Sequence, residues 1–427
     1  MKEITKKIYI VGAGPGEEIF LTQEAREILS KAERVYTSSR IGKRLRSIIG
    51  ELVEFKVSEI EDMIKNEPGP VTILVSGDTG FYSLANTISR SLGDSFEIVR
   101  INGISSMQYF FAKINQSYED VKLISLHGRE GSIVSHVNYN KKVFALTGGK
   151  HKVTDICQAL VEAGMDFVHI TVGENLGNVD KALVDLDQAE KIYRLTPGEI
   201  IKRAQTAAIS DLSVIYVENP QATNPHSLIR DEDIIRGEAP MTKEEIRHLS
   251  LSKLDIQPGD LVYDIGAGTG SVSLDMAKKA FESTVYAIEQ SQPAVDLIEL
   301  NKKNLGVYNV KTFHDKAPQG MEDWPAPDKV FIGGSGKNMP LIVEEIIKKA
   351  QGDIDFVINT ITLESLDEAN RLFQRPGFSQ AEYVCINSAK SKKAGPYTMM
   401  VANNPIYILR AKYQLNHTNV TGGQDEI

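Results

Sequence analysis

Two glycine loops and the carboxylates near them are the residues in this chain whose spacing suggests chemistry. In "KIYIVGAGPGEE" an apolar run from Ile8 to Val11 leads into Gly12, Gly14 and Gly16, and in "LVYDIGAGTGSVS" the run Leu261 to Ile265 leads into Gly266, Gly268 and Gly270. Without β-carbons, the backbone turns tightly after a strand and a ligand can approach the main chain and the next helix N-terminus. A dinucleotide loop needs G-x-G-x-x-G and an acidic residue about 20 positions on that accepts ribose hydroxyls. In the second loop the third glycine comes one residue early, with Ser271 in its place, and Glu289 in "STVYAIEQS" follows Gly270 by 19 residues. Asp264 adds a carboxylate able to face a cationic ligand. An acid for adenosine plus a site for positive charge describes S-adenosylmethionine. In the first loop the third position is Glu17, a bulky anion where a pyrophosphate would lie, and Pro15 removes an N–H from the nest. The next strand, "RVYTSSR", offers Thr37 and Ser38 but no carboxylate. These features reject NAD and FAD at the first loop.

The elements that must position these loops are apolar runs alternating with helical stretches. "RVYTSS", "VTILVSGD", "FEIVRING", "KLISLHG" and "KVFALTGG" read as further strands of the first half, and "TVYAIEQ", "KVFIGGSG", "DFVINTI" and "PIYILRAK" as strands of the second. Strands separated by helices predict α/β layers with largely parallel sheets. The 427 residues suit two or three domains. "YVENPQATNPHSLIRDED", with Pro220 and Pro225 among polar residues, reads as a linker, so domains 1–219 and 220–427 are expected. A formal charge of -9 argues against nucleic acid as partner. Cys157 and Cys385 are too few for a disulfide framework or a zinc knuckle. The histidines lack ligand spacing, His127 and His248 reading as structural, so no metal is expected. The N-terminus has no signal-peptide core and no run approaches about 18 apolar residues, which predicts a cytoplasmic protein off the membrane. The tail after Lys412 reads as frayed.

In the second half, "GEAPMTKEEIRHLSLSKLDIQPGDLVYDIGAGTGSVSLDMA", "AIEQSQPAVDLIELN", "FIGGSG" and "TMMVANNP" resemble the decarboxylating corrin-ring methyltransferases of cobalamin biosynthesis, a Rossmann-like class I family dependent on S-adenosylmethionine. The resemblance implies cofactor contacts at Thr242, at Gly266, Ala267, Gly268, Thr269 and Gly270, and at Glu289 and Ala317, with Asp264 beside them. The family commonly reads Gly-Asp-Ala-Pro where this chain has Asp315-Lys316-Ala317-Pro318, so Lys316 replaces the acidic side chain and the backbone at Ala317 remains as the contact. In the first half, the glycine loop with "VSGDTGFYS", "INGISSMQ", "ALTGGK", "SLHGR" and "GENLG", in that set, resembles the two-lobed tetrapyrrole methylases. That resemblance implies cofactor contacts at Pro15, Gly77, Asp78, Phe81, Ser105, Ser106 and Thr147. Here the family's Gly-Asp-Pro is Gly77-Asp78-Thr79.

Together the halves resemble fused corrin methyltransferases. The resemblance implies that the first half methylates C5 of a tetrapyrrole precursor and that the second methylates C15 and removes carbon dioxide from the C12 acetate. It also implies one S-adenosylmethionine per domain and a homo-oligomer. Because a sulfonium methyl is already activated, the protein chiefly aligns a nucleophilic carbon and excludes water. No Ser-His-Asp set is needed, and no catalytic acid or base is singled out. The rival reading is a methyltransferase for another small molecule or for nucleic acid, with one half a binding module. Gly333-Gly334-Ser335-Gly336 stands where base methylases carry Asn-Pro-Pro-aromatic, which disfavours the nucleic-acid version. Arg230, Arg236 and Lys243 offer grips for substrate carboxylates or are solvated helix-start charges. Lys390, Lys392 and Lys393 read as a basic loop, either a lid over a site or a solvated segment.

Overall fold

The computed structural model describes residues 6–65, 67–93, 96–126, 132–179 and 188–415. Two compact units emerge, one of residues 1–129, 142–158 and 168–218, the other of 130–141, 159–167 and 219–427.

The first unit holds two five-stranded sheets. Strands β1 (Lys7–Gly12), β2 (Arg34–Thr37), β3 (Glu51–Glu54), β4 (Val71–Val75) and β5 (Glu97–Ile101) are parallel in the order β3-β2-β4-β1-β5. Every residue of β4 is buried, as a continuous apolar strand inside a sheet covered on both faces must be. The second sheet comprises β6 (Lys122–Ser125), β7 (Lys142–Leu146), β8 (His169–Glu174), β9 (Lys191–Leu195) and β10 (Ser213–Glu218), in the order β6-β7-β10-β8-β9. Only β6 and β7 pair in parallel here; the other pairings are antiparallel. The expectation of largely parallel sheets is therefore corrected for this lobe. The connection from β8 to β9, part of which lies outside the described residues, returns the chain antiparallel, and β10 pairs antiparallel with both β7 and β8.

The second unit is built on β11 (Val262–Ile265), β12 (Val285–Glu289), β13 (Val310–His314), β14 (Lys329–Ile332), β15 (Ile354–Thr360), β16 (Phe378–Ile386), a ribbon of β17 (Ala389–Ala394) and β18 (Tyr397–Ala402), and β19 (Ile406–Tyr413). Its seven-stranded sheet runs β13-β12-β11-β14-β15-β19-β16, with only β19 antiparallel to its neighbours β15 and β16. Alternation along β11 sends Val262 to the core on one face and Tyr263 and Ile265 to the core on the other. The order reverses at β11, between β12 and β14, the place where open α/β sheets leave a crevice at the carboxyl ends of their strands.

Two expectations about connections change. The segment from Asn219, expected as a linker, is a strap fixed within the second unit. Asn219 Nδ2 donates to Val137 O at 2.7 Å, Thr223 Oγ1 to Gly306 O at 2.9 Å, and Ile229 and Ile234 are buried. Polar composition here serves turns that satisfy their own backbone, since Asn219 and Asn224 side chains accept from the amides of Gln221 and His226. The lysine-rich loop is the β17–β18 ribbon, exposed along its whole length. Its Gly395-Pro396 pair forms the turn between strands, and Lys390 is ion-paired to Glu245 at 2.9 Å and Asp231 at 3.3 Å. Beyond Lys412, Tyr413 completes β19; the tail that follows Leu415 lies outside the described residues, as does His127.

The strap is held by one fully buried arginine. Arg247, on the helix Glu244–Leu254, bonds Asp275 through Nε, Asp231 Oδ1 at 3.0 Å and Thr242 O at 3.1 Å through one terminal nitrogen, and Ile229 O at 2.6 Å through the other. Asp231 in turn accepts from the Glu244 amide at 2.9 Å, supplying the helix cap that Lys243 at the N-cap position lacks. Removing one partner of such a network leaves uncompensated buried charge, a loss of about 3–5 kcal/mol. Arg247→Leu is expected to lower the unfolding free energy of the second unit by that order and its denaturant midpoint with it, measured in the full chain. Retention of the wild-type midpoint would show that the network holds nothing together.

Candidate functional site

Each unit carries a cavity at the carboxyl ends of its central strands. The first is about 920 Å³ and lies between the two sheets of its unit. All seven positions expected there line it: Pro15, Gly77, Asp78, Phe81, Ser105, Ser106 and Thr147. The turns after β1, β4 and β5 meet main chain to main chain. A β-carbon on Gly12 would lie 2.7 Å from both Gly103 N and Gly77 O, so only glycine fits.

This convergence consumes the amides of the first glycine loop. Ala13 N donates to Val75 O at 2.8 Å, Gly14 N to Gly77 O at 3.1 Å and Gly16 N to Ala13 O at 3.2 Å, while Pro15 has no N–H. No anion nest is left for a pyrophosphate. Glu17, which occupies the third dinucleotide position, accepts from Val179 N of the second lobe at 3.1 Å. Asp78 accepts from Gly80 N at 2.7 Å, Phe81 N at 3.1 Å and Gly103 N at 3.2 Å, tying the turn after β4 to the turn after β5. Its side chain builds the wall.

Two other expected contacts are engaged in the same way. Ser105 caps the helix Ser106–Lys113 in a reciprocal box with Gln108, its hydroxyl both accepting from Gln108 N and donating to Gln108 Oε1. Thr147 Oγ1 donates to Ser213 O at 2.8 Å. The sequence missed Arg44, Tyr82, Arg90 and Asn178, which also line the cavity. Arg44 donates to Asn178 Oδ1 across 134 positions of sequence, and no local pattern announces such a pair.

The second cavity, about 450 Å³, lies at the β11 switch point. Of the expected contacts, Thr242, Asp264, Gly266, Ala267, Gly268, Glu289 and Ala317 line it; Thr269 and Gly270 do not. Those two face inward: Asn301 Nδ2 donates to Thr269 O at 3.1 Å, and a β-carbon on Gly270 would press Ile298 at 3.0 Å. The tight spacing that moved the third glycine forward thus serves packing of the helix Ser271–Lys279. Gly266 backs onto Gly334, whose Cα would sit 2.8 Å from a β-carbon added to Gly266, so position 266 admits only glycine. Of the three cations near "GEAPMTK", Lys243 lines the cavity, Arg236 turns to Asp231 at 4.0 Å, and Arg230 is an exposed residue away from the lining. Lys316 and Asp315 line it as well, and Asn359 of β15 is a member that sequence reasoning missed.

The carboxylates of this cavity differ. Glu289 accepts from Gly268 N at 2.9 Å with one oxygen and from Ser291 N at 3.0 Å with the other; each oxygen keeps a further lone pair for a ligand hydroxyl. Asp264 is fully buried, bonded to Ser273 through Oδ2, with Oδ1 unpartnered. Burial pushes its carboxyl up to about 7, the nearby Glu289 adding to this and the Ser273 bond opposing it. Among the described residues no His, Cys, Asp and Glu group could hold a metal ion, and no helix is long and apolar enough to cross a membrane.

Comparison with known proteins follows the same division. Residues 7–190 match the tetrapyrrole (corrin/porphyrin) methylases and residues 233–412 the precorrin methyltransferase domain. The chain is 25% identical over 362 residues, 83% of its length and 84% of the relative's, to a precorrin-6Y C(5,15)-methyltransferase (decarboxylating) of Sinorhizobium sp. It is 37% identical over 186 residues, 43% of its length and 94% of the relative's, to a probable cobalt-precorrin-6B C(15)-methyltransferase (decarboxylating) of Pyrobaculum calidifontis. A solved precorrin-6Y C5,15-methyltransferase structure from Geobacter metallireducens is 33% identical, covering 43% of this chain and 95% of that one, with a TM-score of 0.41.

The raised Asp264 carboxyl fixes a sign. The folded chain holds a proton there that the unfolded chain releases above its ordinary value of 3.8, so this group costs stability increasingly from that pH up to about 7 and constantly beyond. Asp264→Asn keeps a hydrogen-bonding side chain without the charge. The stability of this variant relative to wild type is expected to rise from about pH 4 to about pH 7 and then level off, measured by denaturation across pH. A flat difference would refute a protonated Asp264.

Proposed function

The chain belongs to the family of decarboxylating precorrin methyltransferases, and we propose that it carries out both methyl transfers of that chemistry, one in each unit. The first cavity methylates C5 of a tetrapyrrole precursor; the second methylates C15 and removes carbon dioxide from the C12 acetate. One observation carries this reading: a single chain that aligns over 83% of its length with one C5,15-methyltransferase holds two cavities built by unlike loops.

S-adenosylmethionine, one per unit, fits the residues present. Asp264 Oδ1 is a buried acceptor with no partner, opening on the second cavity, and takes a cationic group. Glu289 retains acceptor capacity for ribose hydroxyls. Thr242, Gly266, Ala267, Gly268 and Ala317 supply the remaining wall, with Thr269 and Gly270 supporting it from behind. In the first cavity Pro15, Gly77, Asp78, Phe81, Ser105, Ser106 and Thr147 hold the donor, mostly through the backbone that their side chains fix. When bound, the sulfonium supplies an activated methyl group.

What the chain's own residues do is align and enclose. The walls hold a ring carbon in line with the methyl group and keep water out, which is where most of the rate comes from when the leaving group is already good. For decarboxylation, the bond between the acetate methylene and its carboxylate breaks, the electron pair passes into the conjugated ring, and a proton completes the methyl group. Lys243 and Lys316, which line the second cavity without an ion-pair partner among the described residues, hold other substrate carboxylates there. A homo-oligomer is also proposed: the ribbon exposes Tyr397, Met399, Met400 and Val401, an apolar surface of the kind that self-association covers.

Calorimetry of the full chain is expected to find two S-adenosylmethionine sites, and Glu289→Ala to leave one. Mass analysis of the product should show two added methyl groups and loss of one carbon dioxide with wild type, against one methyl group and no loss with Glu289→Ala. A single cofactor site in wild type, or unchanged products from the variant, would overturn the two-site reading.

A further inference from the structure

The first cavity contains two guanidinium groups that no carboxylate offsets. Arg44 ends the helix Ser39–Arg44 and Arg90 lies in the last turn of the helix Leu84–Leu92, and both line the cavity. Arg44 donates to the neutral Asn178 Oδ1, and Arg90 Nε donates to the carbonyl of Asn86 in its own helix at a long 3.4 Å. Among the described residues no Asp or Glu lies within ion-pair distance of either. Arg26, Arg34, Arg194, Arg247, Arg375 and Arg410 each have such a partner.

The anions of the same cavity are already committed. Asp78 accepts three backbone amides, and Asp211 pairs with Lys152 at 3.1 Å. These four are the charged side chains of the lining, and its two guanidinium groups stand without a counter-ion while its two carboxylates are held by amides and by Lys152. A ligand that covers a cation without bringing an anion loses the cation's hydration for nothing. Planar guanidinium, unlike ammonium, matches a carboxylate with two parallel bonds.

We propose that Arg44 and Arg90 are the carboxylate anchors of the first cavity, each gripping an acid side chain of the macrocycle, with Arg44 exchanging the Asn178 amide oxygen for it. This rests on the reading of that cavity as a tetrapyrrole methylation site. Two anchors on separate helices fix the rotation of a disc-shaped substrate about its own axis. They therefore select which ring carbon meets the methyl donor, and they are specificity-determining rather than catalytic.

The test uses the full chain, wild type and the variants Arg44→Gln, Arg90→Gln, their double, and Arg44→Lys, with a tetrapyrrole acid as substrate. Each Gln variant is expected to raise KM for C5 methylation about tenfold, and the double about a hundredfold. S-adenosylmethionine affinity, read by calorimetry as the check on folding, should stay within about twofold. Arg44→Lys should recover part of the loss. A substrate with its side-chain acids amidated should bind wild type poorly and be indifferent to the Gln substitutions. An unchanged KM in the double variant, a parallel fall in cofactor affinity, or an equal loss with the amidated substrate overturns the assignment while leaving C5 methylation standing. A wild-type chain that transfers no methyl group to any tetrapyrrole acid overturns the functional reading, and the anchors with it.

Discussion

Main chain meeting main chain at the ends of strands is the constraint on which both cavities depend. In the first unit Gly12 and Gly103 lie so close to each other and to the Gly77 carbonyl that a β-carbon on either is excluded, and in the second Gly266 meets the main chain of Gly334 just as closely across β11 and β14. Close approach has an electrostatic consequence. Amides that would otherwise form a nest are spent on neighbouring carbonyls: Ala13, Gly14 and Gly16 in one loop, and Gly266 and Ala267, both donating to Ile288 O at 3.0 and 3.1 Å, in the other. Both loops therefore lose the feature that makes a glycine turn a phosphate site. Beside the second loop Glu289 keeps acceptor capacity, each oxygen taking one amide and retaining a lone pair.

A second layer holds these turns in place, and in the second unit it is charged and buried. Gly268 has room for the carbonyl of Pro240, 2.8 Å from where its β-carbon would be, because the strap carrying Pro240 is drawn in by Arg247. Burial pushes the Asp275 carboxyl up, against the pull of Arg247. It also acts to raise Asp231, but there the bonds from Arg247 and Lys390 outweigh it and hold that carboxyl below its usual range. One arginine thus neutralises two acids and satisfies two backbone carbonyls. Ion pairs of this kind add little net stability over apolar packing. Their value here is directional, because Thr242, a wall residue, is placed by a bond to its own carbonyl.

Much of this was legible in the sequence, and the illegible part has a physical pattern. Glycine positions, strand ends and Glu289 announce themselves because local backbone geometry restricts residue type. Side-chain roles were less readable. Ser105 and Thr147 sit where expected, yet their hydroxyls serve a helix cap and a strand carbonyl, since a small polar residue at a strand end suits ligand, cap or turn equally. Thr269 and Gly270 belong to the right motif but to its inner face. The ribbon at 389–402 carries lysines and apolar residues without a buried face to impose alternation, so periodicity could not find it. Arg44 with Asn178, and the strap with Arg247, are pairings that only the folded chain brings together.

The two units finally differ in how an aspartate at a strand end is used. Asp78 spends both oxygens on amides of its own and a neighbouring turn, so it fixes a wall and has little left for a ligand. Asp264 has the opposite balance: one oxygen is anchored by Ser273, and the other is buried without a partner. An unpaired buried carboxylate is costly, and burial favours its protonated form. A cationic ligand removes the need for it. Filling the second cavity with such a ligand therefore releases that proton, and the binding is coupled to pH through Asp264.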